Sequence, residues 1–114
     1  MQVHTELGFI DIRKLVRGTL VLLKTVDEVY EIEVGTPKRS VVLVASDGRF
    51  FSREKRVVSG SVCPDTGVFL PYIIGKGLCV RLQKPYHELV LTGPVVAAKV
   101  TGPDKTYTYE LWNN

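Results

Sequence analysis

Turn-forming residues interrupt this chain about every 8–12 positions, a spacing that leaves room for short strands and little that is longer. Between the interruptions lie TLVLL (19–23), VYEIEV (29–34), VVLVA (41–45), RFFS (49–52), RVVSGSV (56–62), VFLPYII (68–74), LCVRLQ (78–83), ELVLT (88–92), PVVAAKV (94–100) and TYTYELW (106–112). β-Branched and aromatic side chains dominate these runs, as suits a pleated, half-buried surface. In VYEIEV the alternation is explicit: Tyr30, Ile32 and Val34 share one face, Glu31 and Glu33 the other. The interruptions carry turn chemistry. Pro37 in GTPKRS has no N–H to give a central strand. Asp47-Gly48 suits a two-residue hairpin turn that hands the chain to RFFS. CPDTG, GKG, KPYH and TGPDK serve as further turns, and the glycines of GKG (75–77) and TGP (92–94) read as tight turns or bulges.

One segment has helical spacing. In FIDIRKLVRG (9–18), Phe9, Ile12, Leu15 and Val16 recur at helical intervals, Asp11 can cap and Gly18 can end the turn. A helix over about 10–17 is expected; at that length it must dock on something to persist. At 114 residues with 45% hydrophobic and 24% charged composition, one ordered domain spanning 1–114 follows, large enough for one real core. The expected fold class is all-β: a small closed or partly open barrel of about 7–9 short antiparallel strands with one short N-terminal helix.

Three strands depart from barrel patterning. TLVLL, VVLVA and PVVAA are apolar on both faces, whereas a barrel wall in water alternates. One short helix covers only one of them, so either a second layer or another copy of the chain hides the rest. Self-association into a homo-oligomer is the expectation.

The net charge of +3 is mild, but its distribution is uneven. Residues 38–56 hold six basic residues, Lys38, Arg39, Arg49, Arg53, Lys55 and Arg56, against Asp47 and Glu54, a local charge of +4. Asp27, Glu28, Glu31 and Glu33 lie just upstream. Arg49 and Phe51 should share one strand face, with Phe50 and Ser52 on the other. Guanidinium groups beside an exposed ring are suited to stacking on a base while holding its phosphate. The candidate ligand-binding set is therefore Lys38, Arg39, Arg49, Phe50, Phe51, Arg53, Lys55 and Arg56, with nucleic acid, a nucleotide or another anion as ligand. The competing reading is a strand edge whose lysines and arginines block unwanted pairing, and this is the favoured one.

Other chemistry is thin. His4, Cys63, Cys79 and His87 never fall within four residues of one another, unlike the paired ligands of structural zinc sites. Ser59, Ser61 and Cys63 alternate along one run, but SGSVC lacks the strand-to-helix elbow of a nucleophilic serine. The expectation is a non-enzymatic module without metal or cofactor, a small enzyme being the remote alternative. The opening MQVHTELGFID has no basic stretch followed by an apolar core, and no apolar run approaches the roughly 20 residues of a membrane helix. A cytoplasmic protein with free thiols and no membrane contact is expected.

Several stretches resemble known barrels. RFFSR (49–53) is similar to the first half of the PilZ cyclic-di-GMP motif, Arg-x-x-x-Arg, but DTG (65–67) does not supply its Asp-x-Ser-x-x-Gly half. RKLVRGTLVLL and IIGKGLCVRL resemble the opening and closing elements of Sm-like RNA-binding barrels; the aspartate and asparagine that hold bases there have no counterpart around GTPKRSVVLV. GRFF, SGSV, LPYIIGKGLCVRL and LTGPV, in that order over about residues 15–100, resemble small uncharacterised bacterial proteins that look like compact β-barrels. That likeness implies a fold and a bacterial origin, and no activity.

Overall fold

A twisted sheet whose strands tilt and stagger can close on itself, and alternation then decides which side chains face the interior. The computed structural model describes residues 9–46, 53–83 and 89–112. Among these the strands are β1 (Phe9–Asp11), β2 (Leu20–Thr25), β3 (Val29–Thr36), β4 (Val41–Ser46), β5 (Glu54–Val62), β6 (Phe69–Pro71), β7 (Ile73–Gly75), β8 (Cys79–Gln83), β9 (Val90–Thr101) and β10 (Thr108–Leu111). All pairings are antiparallel. β2, β3, β4, β5, β8 and β9 follow one another around a closed six-stranded barrel, β9 returning to β2, with β6 and β10 as outer strands. β1 and β7 form a separate ribbon.

Two long strands make the closure possible. β5 gives the first half of one edge to β4 and the second half to β6, while its other edge pairs with β8. β9 divides one edge between β8 and β10 and gives the other to β2. Register shifts lie at Lys24/Thr25, Val34/Thr36, Val58/Gly60 and Cys79/Arg81, and an extra residue at such a point bends a strand and sharpens its twist. The Gly93-Pro94 pair thus lies in a bulged region inside the single strand β9, which joins ELVLT to PVVAAKV. VFLPYII splits instead: Tyr72, at φ +62°, turns the chain between β6 and β7.

The barrel interior is built from the alternating positions. Leu23 faces Tyr30, Val21 faces Ile32, Ile32 faces Val44 and Val34 faces Val42, all fully or almost fully buried. Val58, Val80, Leu82, Val95 and Val100 complete the circuit. Each large aliphatic side chain withdrawn from water contributes about 1.5–3 kcal/mol.

The expected N-terminal helix is not formed. Residues 9–11 are strand, and Ile12–Lys14 make one 3-10 turn, capped by the Asp11 carboxylate accepting from the Arg13 N–H at 3.0 Å. The spacing of Ile12 and Leu15 satisfies a single turn as well as a helix, and both are buried; Phe9 and Val16, the other members of the supposed helical face, are exposed. Pairing of β1 with β7 (Ile10 opposite Ile74) takes the backbone bonds that a helix would have used.

Candidate functional site

The strand order brings together what the sequence scatters. The doubly apolar segments become β2, β4 and the second half of β9, and β9, β2, β3 and β4 are consecutive staves of the barrel. Their second faces therefore form one outer surface. Directly opposed residues of antiparallel strands point to the same side, so the surface can be read in rows. The middle row runs Glu110, Lys99, Leu22, Glu31, Ala45. The row beside it runs Thr108, Thr101, Leu20, Glu33, Leu43, Lys55, and the row on the other side runs Ala97, Lys24, Val29.

Leu22 stands at the centre, 42% exposed. Three shallow hollows of about 170–230 Å³ surround it: one toward Ala97, Lys99 and Glu110, one toward Val29, Glu31 and Ala45, one toward Leu20 and Thr101. Leu22 is left open by the described elements, while the Arg53 side chain lies across the β4 side of the face to reach Glu31 and Glu33. The sequence flagged TLVLL, VVLVA and PVVAA as needing a cover; it could not reveal that Lys99 and Glu31 flank Leu22, because that depends on register.

The basic segment does not form one patch. Arg49, Phe50 and Phe51 lie outside the described residues. Lys38 and Arg39 are exposed in the 3-10 turn Pro37–Arg39, at the end of the barrel where β3 passes to β4. Arg53 lies at the opposite end, beyond the six residues of β4, about 20 Å away at 3.3 Å per residue. Its guanidinium reaches across β4 to β3, where it binds Glu31 at 3.0 Å and also Glu33. Glu33 first and Glu31 second push the Arg53 pKa above its ordinary value. Lys55 points outward and is exposed. Arg56 faces the interior opposite Val42, 4% exposed, with its Nη2 3.2 Å from Glu54. Of the upstream acidic residues, Glu31 and Glu33 thus pair with Arg53, while Arg56 pairs with Glu54 on its own strand.

The serine and cysteine row is broken as well. The bulge at Val58/Gly60 ends the regular alternation at Ser59, and Ser61 turns inward to donate to the Ile73 carbonyl. Cys63 begins the CPDTG turn, closed by Gly67 N–H donating to the Cys63 carbonyl at 2.8 Å. The Thr66 hydroxyl, with the backbone N–H groups of Thr66 and Asp65, holds the Cys63 thiol below its ordinary pKa; burial pushes that of Cys79 up. His4 and His87 lie outside the described residues, among which no group of three or more His, Cys, Asp or Glu is placed to hold a metal. No helix there is long and apolar enough to cross a membrane.

On the side of the barrel formed by β6, β5 and β8, Arg81 stacks over the Phe69 ring at 4.9 Å, and Phe69 covers Gly60. Comparison with protein-family models, curated proteins and solved structures returns no match.

Proposed function

We propose that this chain is a non-catalytic binding and assembly module that associates with further copies of itself through the outer face of β9, β2, β3 and β4. One observation carries the reading: the three strands that are apolar on both faces are gathered on one side of the barrel, around a half-exposed Leu22 that no described element covers. Removing such a side chain from water at an interface is favourable by about 25 cal/mol per Å². Lys99 and Glu31 flank Leu22 directly, so charged side chains enter the contact together with the leucine.

Nucleic acid is the weaker reading. Arg53 is engaged by two carboxylates and Arg56 faces inward, so the phosphate-binding capacity of residues 38–56 falls well below its formal charge.

Light scattering at micromolar concentration tests the proposal: a dimer or larger species is expected, converted to monomer by Leu22→Asp with the far-ultraviolet spectrum unchanged. A monomeric parent chain would overturn it.

A further inference from the structure

We infer that the occupant of this face is a second copy of the chain, docked face to face about a two-fold axis that runs along β2 through Leu22. The inference rests on the assembly reading and adds its geometry. A two-fold axis lying in the interface along one strand sets each residue on the left of that strand against the partner's residue at the same height on the right. The residues flanking β2 find suitable partners under that operation, whereas Glu110 falls against the partner's Ala45 and Lys24 against its own copy. In the middle row Lys99 meets the partner's Glu31, twice by symmetry, and Leu22 meets its own copy. In the next row Thr101 meets the partner's Glu33, as hydroxyl donor to carboxylate, and Leu20 meets itself. In the third row Ala97 meets the partner's Val29. Lys24, on the axis at the rim of the patch, has a stem long enough to turn its ammonium outward to water.

The charge pattern also selects among axes. A two-fold running across the strands through the same row would set Lys99 on Lys99 and Glu31 on Glu31, and like charges in contact reject that docking. Shape agrees with charge. The barrel wall is convex, so contact concentrates on its most prominent apolar residue, and the hollows flanking Leu22 receive the partner's leucine as packed sheets interdigitate. Glu31 keeps its bond to Arg53 throughout, since a carboxylate accepts from more than one donor.

The test uses the full chain. Lys99→Glu places four carboxylates where two ion pairs stood and should weaken dimerisation by about tenfold or more. Adding Glu31→Lys restores opposite charges and should recover most of the loss, with Arg53 retaining Glu33. Independently, Leu22→Cys treated with a short bismaleimide should yield a 22-to-22 crosslink, located by peptide mapping against Cys63 and Cys79. A dimer indifferent to Lys99→Glu that gives no such crosslink would overturn this geometry and leave self-association standing. A monomeric parent chain would overturn both.

Discussion

Replacing Gly60 by alanine should be among the most damaging single-methyl additions available in this barrel. Gly60 lies at the β5 bulge with φ +149°, a conformation that side chains rarely adopt, and a Cβ there would sit 2.3 Å from the Leu70 carbonyl oxygen and 2.9 Å from the Phe69 ring. The ring could swing away; the Leu70 oxygen is backbone of β6, held in register by Gly60 opposite Pro71 and Ser61 opposite Leu70. Relieving the clash therefore means moving β6 off β5. Backbone strain contributes about 1–3 kcal/mol and overpacking about 1–3 kcal/mol. The stiffer unfolded chain returns about 0.4–1 kcal/mol. A net loss of about 3 kcal/mol follows, or about 12 °C in Tm at roughly 4 °C per kcal/mol for a domain of this size. Gly67→Ala supplies the control. Gly67 also has positive φ, +75°, but nothing lies within 4 Å of its added Cβ, so only strain is introduced and about 1 kcal/mol is expected. Thermal and urea unfolding followed by circular dichroism measures both. Equal losses for the two variants, or a loss below about 1 kcal/mol at Gly60, would refute the claim that β6 is pinned against this glycine.

Mixed single-stranded DNA and RNA should fail to bind at low salt in a fluorescence titration. A site using all six basic residues of 38–56 would lose about a few hundredfold in affinity for single strands between about 50 and 200 mM salt, and detecting such binding would refute the pairing of Arg53 and Arg56 with carboxylates as the reason for weak anion recognition. Thiol alkylation followed by mass spectrometry should modify Cys63 well before Cys79. Lowering a thiol pKa enlarges the thiolate fraction at any pH below it, so the Cys63 rate should approach its plateau at lower pH than that of an ordinary cysteine, while buried Cys79 lags. Equal rates for the two would contradict the CPDTG turn as described.

The sequence by itself determined that the chain is built of strands and turns. Period-two alternation in VYEIEV and turn residues such as Pro37 are local signals, because side chains on a strand alternate faces wherever that strand is placed and proline lacks its N–H in any context. It also showed that TLVLL, VVLVA and PVVAA are apolar on both faces, of which one core can take only one. Only the tertiary structure decided the rest. Ile12 and Leu15 fit a helix and a single 3-10 turn equally well, and the choice fell to the pairing of β1 with β7, a contact between residues far apart in the chain. The basic segment read as one patch because sequence distance ignores that a strand carries its two ends about 20 Å apart and its alternate residues to opposite faces. Arg53 thereby found Glu31 and Glu33 across an intervening strand, and Arg56, three residues on, turned into the interior. The placement of Lys99 and Glu31 on either side of Leu22 is likewise a property of register, fixed by which strands are neighbours and by bulges whose positions depend on closing the barrel.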